Sequence, residues 1–600
     1  MNDMTSPVAL ADATSSQRAD SAHRSRHLAP DCRGLNYYDI DQSLRSLLPL
    51  YMDGALLEHL TPHMSELGEL AGGHLGELSD LAERHTPTLQ TRDRFGRDDE
   101  RVEFHPAYKE MESIAFGRFG IHAMTHKPGV LGWPQAMPPI AKYVFHYLFA
   151  QAEFGLLCPV NLTDSSSELV HRFGSDAIKA KYLNNMWSQD MDQLTKCAQF
   201  MTEKAGGSDV GAAELTAVRD GDHWRLHGEK WFCSNVDAEL AVLLARPVDA
   251  GAGGKGLGLF LMPKTLDDGS RNGYRIMRLK DKLGSKGMAS GEIVFDGALA
   301  YQLGDLDQGL KQMLGMVNSS RISHLTRAAG MMRRCLNEAM VASQHRDAFG
   351  KAVIEHPLMR RQLLKLMVPT EQALSALLYA SCVSELASSD KHYEQVLRML
   401  TPIVKFRACR DNVTVATGAM EARGGNGYIE DWPNARLVRD AHLGLLWEGT
   451  SNINALDAVQ RAVGKVGAHR ALRDDLTQRL DKAEAIPAPL RSRLDGAIAE
   501  ACRLAEEIAA SPKLERFCRV AAGQLYHAST AALLAVEGAT LGQSGGDARR
   551  LLLSRLVLEH HLQPSQTQDL HSLSWEDEVT DLLLADEPVS LAQAGALLAD

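Results

Sequence analysis

No apolar run in this chain approaches the roughly 18 residues needed to cross a bilayer, and the first 30 residues lack the apolar stretch of a secretory leader. Neither a membrane-spanning nor a secreted protein is expected, and residues 1–34 read as a disordered tail on a cytoplasmic protein. Cysteine pairs of the CxxC kind are missing as well. The nine cysteines (Cys32, Cys158, Cys197, Cys233, Cys335, Cys382, Cys409, Cys502, Cys518) are scattered and carry no histidine cluster. That spacing argues against a zinc framework, so no metal is expected, and it suits buried thiols in a reducing compartment. Positive charge is not in excess either: 64 Lys and Arg face 76 Asp and Glu, a formal net charge of -12. A general polyanion-binding surface is not expected, which makes nucleic acid a poor default partner. No internal repeat is visible.

What is present divides into four blocks. Residues 35–190 show apolar spacings of three and four, as over Ile140 to Leu157, and read as an irregular helical domain. Residues 191–305 change to short alternating runs such as His223 to Gly228, punctuated by Gly and Asp clusters, and predict a compact β domain of about five to eight strands. Over 306–465 long helical patterns return, at Arg321 to Arg346, Pro357 to Ser388 and Tyr393 to Arg423, as in a helical bundle. Residues 466–600 form a further helical extension. The expected class is α+β: helical domain, barrel-like β domain, bundle and appendage.

The chemistry concentrates in a few segments. Leu446-Trp447-Glu448-Gly449-Thr450-Ser451-Asn452 sets a lone carboxylate at the end of an apolar stretch, where desolvation raises its pKa toward that of a general base. Gly449 would let a flat ligand approach the backbone. Taken alone, the segment reads better as a helix start, with Thr450 or Ser451 as N-cap and Glu448 an acid favoured at that end. Met201-Thr202-Glu203-Lys204-Ala205-Gly206-Gly207-Ser208-Asp209 offers hydroxyls and small residues to a polar ring or phosphate. Lys230-Trp231-Phe232-Cys233-Ser234-Asn235 places aromatics beside a hydroxyl and an amide. Arg346-Asp347-Ala348-Phe349-Gly350-Lys351 and Arg423-Gly424-Gly425-Asn426-Gly427-Tyr428 supply planar cations and exposed amides suited to a pyrophosphate.

Together these segments resemble the acyl-CoA dehydrogenases, flavoproteins marked by a TE-x-x-x-GSD loop, a K-x-F/W-x-T/S-N strand, R-x-x-FG-K, GG-x-GY and EGTS. All five stand here in family order between about Cys197 and Ile453. The MTEK-x-GGSDV, RLKDKLG (Arg278 to Gly284) and WEG segments are most similar to the AidB-type branch, which carries an extra C-terminal helical domain.

The resemblance implies FAD as cofactor and an acyl-CoA as substrate. Glu448 would remove the α-proton while the β-hydride passes to flavin N5, the enolate being held by a ribityl hydroxyl and the Glu448 amide. It also implies polar flavin contacts from the Met201 backbone, Thr202, Gly207, Ser208 and Ser234, with Phe232 stacking. Arg346 and Phe349, with Gly424 and Gly425, would reach the FAD of a neighbouring subunit, making a homodimer or homotetramer. Thr450 and Asn452 fall beside the cofactor, and Arg321, Trp447 and Gly449 beside the substrate. An electron-transferring flavoprotein would take the electrons.

Several positions depart from the pattern. Trp447 replaces a common tyrosine, Gln199 an aromatic residue, and Glu421 a glutamine that faces the pyrophosphate, where an acid must turn away or pair with Arg423. Two alternatives remain open. One is an AidB-like stress protein binding DNA or a fatty acyl ligand, against whose DNA arm stand about 15 Lys/Arg and roughly 20 Asp/Glu over residues 461–600. The other is a flavin oxidase or monooxygenase on the same fold. His560-His561 and Glu576-Asp577-Glu578 read as a solvated helix end or loop rather than a metal site.

Overall fold

The computed structural model describes residues 28–562 and 574–599. The tail expected over 1–34 therefore lies outside the described residues as far as residue 27. From residue 28 the chain is packed. The Cys32 amide donates to Glu338 at 3.2 Å, and Arg423 donates to the Pro30 carbonyl at 3.1 Å. A buried Arg423–Glu338 pair at 2.6 Å anchors this strap, a partner set that lies hundreds of positions away in sequence.

Helices Gln42–Tyr51 and Gly54–Gly72 start where Asp41 and Asp53 accept amide hydrogen bonds from the first turn. The helical expectation then fails locally, because Thr88–Arg92 (β1) and Asp98–Glu103 (β2) form an antiparallel hairpin. Tertiary charge pairing holds it: buried Glu100 meets Arg271 at 2.9 Å and Arg275 at 3.0 Å, both from the β domain.

Seven strands run from Cys197–Phe200 (β3) through Thr216–Asp220 (β4), His223–Ser234 (β5), Leu240–Pro247 (β6), Gly258–Pro263 (β7) and Tyr274–Leu279 (β8) to Ser290–Leu303 (β9). Their order is β3-β5-β4-β6-β7-β9-β8, and the additional pairings β3–β6 and β5–β9 fold the sheet back on itself around its own apolar core. β6 and β7 are buried along almost their whole length, so they read as continuous apolar runs rather than alternation.

Three long helices follow: Gly309–His345, Pro357–Leu386 and Lys391–Arg423. The first starts about three turns before the predicted Arg321. Its polar Asn318-Ser319-Ser320 run is held in helix because the helix start packs on the sheet, where Gly309 sits so close that a Cβ would lie 2.4 Å from the Leu257 carbonyl. The extension docks through a buried chain of charge that joins three blocks. Arg550 pairs with Glu371 at 2.6 Å and Glu537 at 2.8 Å, and Glu371 also accepts from Arg333, which in turn reaches Asp41 at 3.3 Å. His560 and Glu576, expected at a solvated end, instead bond to each other at 3.2 Å, and His561 stacks on His527 at 4.0 Å. No helix among the described residues is long and apolar enough to cross a membrane.

Candidate active site

Glu448 sits in a left-handed turn, φ 53°, followed by Gly449 at φ 91°. Such a turn is strained for glutamate and natural for glycine, and tertiary contacts hold it. Asn454 donates to the carbonyls of Gly449 at 2.7 Å and Thr450 at 3.1 Å, Lys405 donates to the Gly449 carbonyl, and Arg321 Nε reaches the Glu448 carbonyl at 3.4 Å. The backbone is thus pinned while the carboxylate stays half-buried. Burial pushes the Glu448 carboxyl above the ordinary range, against the opposing pull of Arg321, Lys405 and Arg327. Burial likewise brings the Lys405 ammonium down to about 8.

Thr450 is the N-cap of the short helix Ser451–Leu456, but its side chain makes no capping bond. Asn452 is exposed on that helix. The residue that orders the turn is Asn454, which the sequence reading missed; only its spacing after EGTS was available as a signal. Arg321 is chiefly an ion-pair residue, 2.6 Å from Asp457, which also holds Arg398 at 2.6 Å. Trp447 packs edge-on against His324 with ring centroids 5.5 Å apart.

The Met201–Ser208 loop approaches the same helix from the sheet side. Gln199, which ends in β3 two residues before Met201, lies 3.5 Å from Met313, and Met313 stands eight positions, about 12 Å, before Arg321 on the Gly309–His345 helix. The loop is braced by a pair without an assigned role in the sequence reading: buried Lys230 contacts Glu203 at 2.6 Å and donates to the Met201 carbonyl at 3.2 Å. The Trp231 amide donates to the Thr202 carbonyl at 2.8 Å. At Gly207 a Cβ would meet the Thr202 hydroxyl at 2.9 Å, so glycine permits the turn to close. Ser208 is exposed, Phe232 is half exposed beside Lys280, and Ser234 faces the Ser290 hydroxyl at 3.3 Å.

Arg346, Phe349, Gly424 and Gly425 do not join this group. Arg346 lies 25 positions beyond Arg321 at the far end of the same helix, a separation of roughly 37 Å. There Arg346 donates to the Arg423 carbonyl at 3.3 Å and lies against Gly424, whose φ is 74°. Phe349 projects almost fully exposed, at 98 %. Glu421 turns to Gln362 at 3.3 Å; the pairing with Arg423 allowed by the sequence is displaced by Glu338.

A cavity of about 1050 Å³ opens between the Pro139–Ala150 and Leu157–Phe173 helices and the first bundle helix. Met137, Tyr143, Leu169, Phe173, Met316 and Ile322 give it apolar walls, with Lys142 and Asp164 among its polar ones. Arg321 connects its Asn318 wall, at 3.5 Å, to the Glu448 carbonyl.

Profiles of known families match three stretches: the AidB N-terminal domain over residues 28–193, the acyl-CoA dehydrogenase middle domain over 198–298 and its C-terminal domain over 307–464. The chain is 31 % identical over 440 residues to acyl-CoA dehydrogenase family member 11 of Caenorhabditis elegans, covering 71 % of this chain and 70 % of that one. It is 31 % identical over 447 residues to the putative acyl-CoA dehydrogenase AidB of Escherichia coli, covering 70 % and 80 %. The C. elegans ACDH-11 structure in complex with C11-CoA superposes with a TM-score of 0.83 at 26 % identity, over 90 % of this chain and 93 % of that chain. The chain belongs to the acyl-CoA dehydrogenase family of oxidoreductases. Its N-terminal block carries the AidB-type domain of that family.

Proposed function

We propose that this protein catalyses FAD-dependent α,β-dehydrogenation of an acyl-CoA thioester, with Glu448 as the base. The observation that carries the reading is the half-buried Glu448 carboxyl, raised by burial and set on a pinned turn that Arg321 links to the Asn318 wall of a cavity large enough for an acyl chain. Its backbone is fixed by Asn454, Lys405 and Arg321, so the carboxylate meets an α-carbon without reorganising.

The residues present fit FAD. Thr202, Ser208 and Ser234 offer hydroxyls, and Phe232 an accessible ring. Arg346 makes no ion pair among the described residues, so its charge is free for a diphosphate beside the Gly424 turn. When bound, FAD supplies the hydride acceptor. Because Arg346 stands roughly 37 Å along one helix from Arg321, which contacts the Glu448 turn, Arg346 and Phe349 serve the site of a second subunit, and the assembly is a homodimer or homotetramer. The exposed Phe349, Leu358 and Tyr428 around Arg346 support that contact. Arg346→Ala is expected to weaken FAD retention by about 10- to 100-fold, and Phe349→Asp to shift the assembly toward monomer; flavin content and light scattering measure both. Full flavin occupancy in a Phe349→Asp monomer would sink the shared site.

The test of the reaction is anaerobic titration of the FAD-loaded protein with a panel of acyl-CoAs. The oxidised-flavin absorbance bleaches with at least one of them; no bleaching with any chain length overturns the proposal. An electron-transferring flavoprotein re-oxidises the enzyme, whereas rapid peroxide formation in air would identify an oxidase. The nine free thiols accord with a cytoplasmic, reducing setting.

Since the base must be ionised and burial raises its pKa, kcat/KM falls as pH drops through a midpoint above the ordinary glutamate range. An acid limb centred within that ordinary range would show that burial does not tune Glu448.

A second reading, a flavoprotein that mainly retains a fatty acyl ligand, draws on the same apolar-walled cavity. Native mass spectrometry showing a bound lipid, together with no flavin bleaching, would favour it.

A further inference from the structure

Arg327 is among the largest side chains in the molecule that are fully buried, yet it has no carboxylate within ion-pair distance among the described residues. Its guanidinium lies between two aromatic rings, 5.0 Å from the centroid of Phe154 and 5.4 Å from that of Trp447, the residue that precedes the base. One terminal nitrogen, Nη1, has no protein hydrogen-bond partner. The other touches only the His324 ring at 3.3 Å, and Nε reaches the Ser323 carbonyl at 3.4 Å.

The surroundings are unsatisfied in the same way. Both ring nitrogens of His146 and the hydroxyl of Ser323 are buried without a protein partner. Burial brings His146 down to about 3 and holds His324 well below its ordinary range, so neither ring shares positive charge with Arg327. Tyr143, on the wall of the 1050 Å³ cavity, lies edge-on to His146 with centroids 6.2 Å apart. Tyr143 thus links the cluster to the wall of that cavity, and Arg327 links it to Trp447. A buried guanidinium without a counter-charge is costly, and so are orphaned donors beside it. Glu448 and Glu153 act on Arg327 only at longer range. The chemistry that satisfies the cluster is an anionic oxygen pair entering from the acyl side, since a planar guanidinium fork matches a carboxylate.

We propose that Arg327, flanked by His146 and Ser323, is the receptor for a carboxylate carried by the acyl group, so that the preferred substrate is the thioester of a dicarboxylic acid. This rests on the acyl-thioester dehydrogenation above and adds a specificity determinant to it. The base and the receptor are separate: Glu448 meets the α-proton, Arg327 the distal carboxylate. The aromatic sandwich orients the guanidinium edge toward the ligand and keeps water from competing for it.

The test compares butyryl- and hexanoyl-CoA with glutaryl- and adipyl-CoA on the FAD-loaded protein, by anaerobic flavin reduction and kcat/KM. The unaltered protein should favour a dicarboxylic thioester by about 10- to 100-fold. Arg327→Met should lower the dicarboxylic to monocarboxylic ratio at least tenfold, and Arg327→Lys should keep part of it. Calorimetric binding of glutaryl- or adipyl-CoA to Glu448→Gln, lost on adding Arg327→Met, reads the receptor without turnover. Equal or better use of butyryl- and hexanoyl-CoA by the unaltered protein overturns the receptor while leaving the dehydrogenase reading intact. An equal loss for all four substrates with a displaced acid limb also overturns it, and assigns Arg327 to holding Glu448 ionised. No reduction by any thioester overturns both.

Discussion

Glu448→Gln should leave the protein folded and able to bind FAD and acyl-CoA while lowering turnover by about 10²- to 10⁴-fold, the contribution of a positioned general base. The substitution keeps the shape of the side chain and removes only its ability to take a proton. The turn itself depends on backbone contacts from Asn454, Lys405 and Arg321, none of which involves the carboxylate. Binding of an unreacted thioester should therefore persist, seen as a perturbed flavin spectrum without bleaching. Turnover within threefold of the unaltered protein would remove Glu448 from the chemistry. The φ of 53° adds a control: Glu448→Gly should relax the turn yet also abolish reaction, which separates strain from proton transfer.

The second large effect concerns stability. Arg550→Met should destabilise the protein by about 3–5 kcal/mol, because breaking a buried ion pair from one side leaves an uncompensated charge. Arg550 donates to Glu371 and Glu537 and also to the Ser375 hydroxyl at 2.6 Å. Arg333 still serves Glu371 after the substitution, and Tyr51 at 2.6 Å and Ser375 at 2.7 Å still serve Glu537. The exposed debt is therefore the Glu537 charge, and adding Glu537→Gln should recover a substantial part of the loss in a double-mutant cycle. Glu371 is held down at about 2 by Arg333 and Arg550 in spite of burial. With its folded pKa below its unfolded one, its contribution is present at neutral pH and is lost as pH falls toward that value. Denaturant unfolding across pH measures both effects; a loss under 1 kcal/mol at neutral pH would mean that the extension docks by apolar packing alone.

The parts of the site that were legible in the sequence are those whose chemistry lies within a short window. EGTS, the MTEK-x-GGSDV loop and R-x-x-FG-K each announce themselves because a glycine, a hydroxyl or an arginine is needed at a fixed offset from its neighbours. Asn454, Lys405 and Arg327 were not legible. Lys405 and Arg327 sit inside long helices whose pattern reads as ordinary packing, and nothing local tells a buried unpaired arginine from a solvated one. The β1–β2 hairpin was missed for a related reason: its Asp- and Arg-rich strands gain their pairing from Arg271 and Arg275, about 170 positions away.

The sequence by itself determined the order of blocks and the motifs that carry the family resemblance, since spacing and residue type are one-dimensional properties. Only the tertiary structure decided which atoms hold Glu448 in its left-handed turn, how far Arg346 lies from it, and that Arg327 is buried beside it without a counter-charge. Burial and pairing depend on distances between segments remote in sequence, and the free energy of a charge depends on what surrounds it in space.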